Sequence, residues 1–152
     1  MIRQRLGMPI VALVASLGIF MGLSQAQTAR QNVPAEYQAA IAQLRIAKGY
    51  VEAAGDRWGG YRAKGIASID QTFKALGVST QSTPQKPQSG NVNVDEPGMM
   101  NSGISALQVA RADFAKAGND WGGRKATAVA LIDQSLRDLQ TGINWAKQHK
   151  TY

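Results

Sequence analysis

The chain has 152 residues, no cysteine, one histidine and 17 basic against 10 acidic side chains, for a net charge of +7. Without cysteine neither a disulfide framework nor thiolate chemistry is available, so stability has to come from packing. The basic excess is scattered in ones and twos, with Arg124-Lys125 the longest run, which excludes the clustered pattern of a specific nucleic-acid binder and leaves loose attraction to anionic polymers.

The first 26 residues divide into a basic start with Arg3 and Arg5, an apolar run over residues 8–23, and Ser24-Gln25-Ala26 with small side chains at the first and third places. That order is the order of a secretory signal. The apolar run is 16 residues long and contains Pro9, Gly18 and Gly22, whereas a membrane-spanning helix needs about 20 apolar residues. Cleavage after Ala26 is therefore expected, giving a periplasmic or secreted chain with no remaining membrane span. The mature chain of 126 residues carries a net charge of +5 and has the size of one ordinary domain.

Residues 41–76 align without gaps onto residues 104–139 at a constant offset of 63, and fourteen of the 36 pairs are identical. The matches include Gly55 with Gly118, Trp58-Gly59-Gly60 with Trp121-Gly122-Gly123, and Ile69-Asp70-Gln71 with Ile132-Asp133-Gln134. Such a register within one chain indicates an internal duplication.

In chain order, Ile41, Leu44, Ala47, Val51 and Ala54 recur at three- and four-residue spacing and predict an amphipathic first helix, which Pro34 and Glu36 suit at its start. Gly55 stands where a helix-ending left-handed residue belongs. After the Trp58-Gly59-Gly60 turn, Ala63, Ile66, Ile69, Phe73 and Leu76 predict a second helix. Residues 78–98 contain Pro84, Pro87 and Pro97 among many Ser, Gln and Asn side chains and read as a flexible linker, with only Asn91-Val-Asn-Val94 hinting at a strand. The third helix repeats the first with Ile104, Leu107, Ala110, Phe114 and Ala117, capped by Asn101 or Ser102 and stopped by Gly118. The fourth repeats the second with Ala126, Val129, Ile132, Leu136 and Leu139 and continues past Gly142 through Ile143, Trp145 and Ala146 to an end expected to fray. Short turns make each helix pair an antiparallel hairpin sharing its apolar stripes, and the two hairpins are expected to form an all-α four-helix bundle. The boundaries that follow are a signal peptide over 1–26, hairpin 1 over 27–77, a flexible linker over 78–100, and hairpin 2 with a C-terminal extension over 101–152.

The pattern Leu-x-x-Ala, a helix, then Gly-Gly-x-Arg/Lys-x-x-Ala and Ile-Asp-Gln resembles duplicated helical-hairpin repeats of exported bacterial proteins of unknown function. Those repeats often carry histidine after the paired glycines; Tyr61 and Arg124 stand there in this chain. The resemblance implies a fold and transfers no catalytic residue.

Candidate chemistry is sparse. No Glu-x-x-His pair is present, and His149 with Met99 or Met100, which read as linker methionines, is a poor haem ligand set at the ends of elements. No metal and no cofactor is expected. Asp70 and Asp133 occupy equivalent places, and Lys74 and Arg137 four residues on would pair with them along their own helices. No nucleophile and base stand at motif spacing, so no catalytic residue is assigned and a non-enzymatic role is expected. Trp58 and Trp121 are read as indoles that plug the hairpin turns, which their glycine pairs allow to reverse tightly. An anion-binding reading of the same motif takes Gly59, Gly60, Arg62, Gly122, Gly123, Arg124 and Lys125 as a cradle at the start of each second helix. The expected partner is an envelope protein or an anionic polymer.

Overall fold

Helical periodicity and glycine-punctuated turns produce four helices: α1 over Ala35–Ala53, α2 over Tyr61–Leu76, α3 over Val92–Lys116 and α4 over Arg124–His149. The computed structural model describes residues 33–85 and 92–151, with the backbone alone for 92–95. The leader expected over residues 1–26 lies outside the described residues, as do 27–32, 86–91 and 152. Among the described residues there is no strand, and no helix is long and apolar enough to cross a membrane.

The helices form an all-α four-helix bundle. Its most extensive packing joins equivalent helices of the two repeats, α1 with α3 and α2 with α4, while α1 and α2 touch each other only sparsely. This corrects the expectation that the helices of one hairpin share their stripes: the apolar face of each hairpin points at the other hairpin. Both cross-repeat pairs run antiparallel, since Tyr37 near the start of α1 bonds Asn119 beyond the end of α3, and Ser135 on α4 donates to the Gly65 carbonyl near the start of α2 at 3.0 Å. Small residues let the pairs close up. A Cβ on Gly103 would lie 2.6 Å from the Val51 side chain, and one on Gly65 would lie 2.5 Å from Leu139.

The core contains most of the expected stripe: Ile41, Leu44, Ala47, Val51 and Ala54 on α1 and its exit, Ile69, Phe73 and Leu76 on α2, Leu107, Ala110, Phe114 and Ala117 on α3 and its exit, and Ile132 and Leu139 on α4. Ala63 and Ala126, at the start of the second helices, are exposed. Two hydroxyls at equivalent positions are buried with them. Thr72 donates to the Ser68 carbonyl at 2.9 Å, and Ser135 bridges to α2 as above, so neither is left without a partner.

The linker expected over 78–100 is the part the structure changes most. Gly77, left-handed at φ 71°, ends α2 with the paired bonds Gly77 N–H to the Lys74 carbonyl and Val78 N–H to the Phe73 carbonyl, each 3.0 Å. Residues 78–85 have no regular structure yet lie against α1: the Thr83 amide donates to the Arg45 carbonyl at 2.9 Å, and Lys48 Nζ donates to the Thr80 carbonyl at 2.7 Å. Gly49 makes this approach possible, because a Cβ there would sit 1.8 Å from the Thr83 carbonyl oxygen. At the other end of the linker α3 begins at Val92, well before Asn101 or Ser102, so 92–100 is helix and the hint of a strand there is not realised. Pro97 lies inside this helix, one turn and a half from its start, where it lacks an N–H to give. Burial of Glu96, Met99 and Met100 favours the extension, and the two methionines are core rather than linker residues.

The C-terminal extension is anchored instead of frayed. Gly142 lets α4 pass close to the first turn, its missing Cβ being 3.0 Å from Tyr61 Cβ. Lys150, at φ 51°, and Thr151 then end the helix, with the Thr151 amide bonded to the Ala146 carbonyl at 3.2 Å. The Thr151 hydroxyl donates to the Arg57 carbonyl at 3.0 Å.

Candidate functional site: the two Trp-Gly-Gly turns

In both turns the glycine pair takes left-handed conformations, with φ 60° and 81° at Gly59 and Gly60 and 63° and 81° at Gly122 and Gly123. Side chains with a Cβ disfavour this region, which is the physical reason for two glycines in each copy. Gly60 and Gly123 are the N-cap residues of α2 and α4. Gly55 is left-handed at φ 67°, as a residue that ends a helix can be, but Gly118 is not, and in the second turn the positive φ falls on Trp121, at 45°.

The two indoles differ accordingly. Trp58 is fully buried and its Nε1 donates to the Ala54 carbonyl at 2.7 Å. Trp121 is only partly buried; it stacks on Tyr37 with centroids 5.1 Å apart, while the Arg124 guanidinium lies 5.1 Å from its ring centroid. Tyr37 in turn lies 5.5 Å from the Phe114 ring, so a chain of aromatic contacts runs from the core to the second turn. The Tyr37 hydroxyl donates to the Asn119 carbonyl, the Asn119 amide donates to Glu36, and Asn119 Oδ1 accepts from the Trp121 amide at 2.9 Å. Burial raises the Tyr37 phenol above its usual range, with smaller contributions in the same direction from the Glu36 and Asp120 carboxylates.

The cationic residues of the anion reading are drawn into architecture. Arg62 Nε donates to the Val51 carbonyl at 2.8 Å, its Nη2 donates to the Glu52 carbonyl at 2.7 Å, and its Nη1 pairs with Asp56. Lys125, at the equivalent position, donates to the Ala115 and Ala117 carbonyls at 3.2 and 2.6 Å. Each therefore satisfies carbonyls at the C-terminal end of the helix before its own turn, which would otherwise lack intrahelical donors. The Arg124 and Lys125 amides already bond the Trp121 and Asp120 carbonyls, at 3.4 and 3.2 Å. Of the cradle residues, Gly59 is packed beneath Trp145, whose ring would be 2.5 Å from an added Cβ, whereas nothing lies within 4 Å of such an atom on Gly122.

Asp70 and Asp133 do not pair along their helices. Asp70 accepts from Lys48 at 2.7 Å, and Asp133 takes a two-point contact from Arg111, one arm of it 3.2 Å long. Lys48 and Arg111 are themselves 63 apart in sequence, so the duplication preserved an ion pair between the two helices of each hairpin. The i,i+4 spacing to Lys74 and Arg137 concealed it, because a contact between helices leaves no local spacing to read. Arg137 bonds Gln134 instead, at 2.7 Å.

Sequence reasoning also missed Glu96. Its side chain is 8 % exposed, lies over Gly55 where an added Cβ would meet Oε1 at 2.5 Å, and has Arg57 Nε 3.7 Å from Oε2. His149 is tied to its own helix, with Nδ1 2.7 Å from the Trp145 carbonyl and its ring stacked on Trp145 at 4.1 Å. Among the described residues no group of three His, Asp or Glu side chains is placed to hold a metal ion. A groove of about 210 Å³ opens near the second turn, lined by Glu36, Ala39, Asp113, Lys116, Ala117 and Gly118. No protein-family model, curated protein or solved structure matches the chain.

Proposed function

We propose that the chain is a non-enzymatic, exported helical protein that serves as a binding or scaffold module in the cell envelope, where its partner is an envelope protein or an anionic polymer. The observation that carries this reading is the engagement of the signature polar residues: Arg62 and Lys125 hold helix ends, and Asp70 and Asp133 hold hairpins together. The repeat motif is then a recipe for a rigid bundle. The groove beside the second turn, at about 210 Å³, also falls below the roughly 300–1,000 Å³ of small-molecule sites. A leader of secretory type supports export.

The test is expression with the native N-terminus, followed by fractionation and mass spectrometry. The periplasmic or secreted protein is expected to begin at Gln27, and photo-cross-linkers at exposed sites such as Val109 should capture discrete envelope species. Recovery of the intact chain in the membrane would overturn the reading. Anion binding, the second reading, rests on exposed Arg124 beside the open surface of Gly122. It requires that phosphate move the Gly122 and Gly123 amide resonances and that Arg124→Ala abolish the shift.

A further inference from the structure

Each hairpin is held in shape by its own bonds and held in place by the other hairpin. Lys48 with Asp70 and the Arg62 cap act within hairpin 1; Arg111 with Asp133 and the Lys125 cap act within hairpin 2. The contacts that join the two are of a different set: the extensive α1–α3 and α2–α4 packing, Tyr37 with Asn119, Ser135 with Gly65, and Thr151 with Arg57. Not one of these joining contacts requires the two hairpins to belong to the same chain.

Their covalent connection is a single tether between Gly77 and Val92. It has to travel the length of the bundle, because Gly77 lies beside Arg124 at one end while Glu96, just inside α3, lies over Gly55 at the other. The intervening helix α2 has 16 residues and so measures about 24 Å.

We infer that the hairpins exchange between two copies of this chain, hairpin 1 of one seated on hairpin 2 of the other, to give a closed two-fold dimer. The partner surface is the buried face of each hairpin, and the occupant is a second copy of the same sequence. Dimer and monomer contain the same helix-to-helix contacts, so the balance between them is set by the tether. A linker of this kind gives an effective concentration on the order of millimolar, and the monomer therefore prevails in micromolar solution. Once formed, the dimer is slow to revert, since separating the hairpins means exposing the core.

The decisive experiment is to unfold the full chain and refold it at about 10 μM and at about 1 mM, the concentration at which a second chain competes with the tether, then measure mass by light scattering after dilution. A dimer fraction of tens of per cent is expected only in the concentrated refolding, persisting on dilution with undiminished helicity. Monomer alone at both concentrations overturns the inference, as does a dimer that forms from folded chains without unfolding or dissociates promptly on dilution, since that would be surface association. Deleting residues 79–91 adds an independent check. It leaves Gly77 and Val92 no more than about 7 Å apart along the chain, too short to close in one copy, so this variant is expected to be dimeric even at micromolar concentration, and a folded monomer would contradict the exchange.

Discussion

Replacing Trp58 by alanine tests the role of the first turn most directly. The indole has no exposed surface, and its N–H donates to the Ala54 carbonyl at 2.7 Å. The missing Cβ of Gly142 is 3.5 Å from its Cβ, so α4 passes directly over it. A buried indole hides roughly 200 Å², which at about 25 cal/mol per Å² corresponds to about 5 kcal/mol of apolar burial as an upper estimate. Truncations of buried aromatic residues cost about 3–5 kcal/mol once partial collapse of the cavity is included. A loss of about 4 kcal/mol is a large part of the roughly 5–15 kcal/mol that stabilises a domain. Urea unfolding followed by far-UV circular dichroism, with the slope unchanged, should therefore show a strongly lowered midpoint. Trp121→Ala should cost less, about 1–2 kcal/mol, because that ring is only partly buried and rests on Tyr37. Equal losses at the two sites, or a loss below about 1 kcal/mol at Trp58, would refute the argument that the turns have diverged into a buried plug and a surface stack.

Gly49→Ala should destabilise the protein even though alanine is the better helix former by about 1 kcal/mol, because its Cβ would collide with the Thr83 carbonyl; faster proteolysis within residues 79–85 would report the displaced segment, and a stabilised variant would contradict the packing. Lys48→Ala should cost about 2 kcal/mol by leaving Asp70 and the Thr80 carbonyl without their donor, whereas Arg111→Ala, at a more exposed pair, should cost less than about 1 kcal/mol; thermal melts of both variants check the order. The raised Tyr37 phenol makes stability depend on pH at the alkaline end. The unfolded phenol ionises near about pH 10, so the contribution is fully present below that pH and is lost as pH rises from there through the higher folded value. Stability measured against pH should fall more steeply for the wild type than for Tyr37→Phe in that range, and parallel curves would rule the effect out.

Much of the bundle was legible because it depends on local order. Three- and four-residue spacing marked the helices, and the constant offset of 63 marked the repeat. The same register extends further back than the similarity first suggested, since Pro34 and Pro97 are also 63 apart. Pro34 caps α1 while Pro97 lies inside α3. The proline is the same; what differs is whether the preceding residues find a surface to bury against, and Glu96, Met99 and Met100 do.

The sequence by itself determined four amphipathic helices, two glycine-pair reversals and a cysteine-free core, because these follow from side-chain periodicity and from backbone conformations that only glycine adopts without strain. Only the tertiary structure decided which helix faces which, that Lys48 and Arg111 rather than Lys74 and Arg137 hold the aspartates, and that Arg62 and Lys125 cap helix ends. It also decided that residues 78–85 lie along α1, through the gap that Gly49 leaves. Those outcomes depend on distances between segments remote in the chain, where one methyl group or one carbonyl oxygen sets the approach. An amphipathic stripe states that a face must be buried, but every apolar face is an acceptable cover, and the choice among them is made by packing.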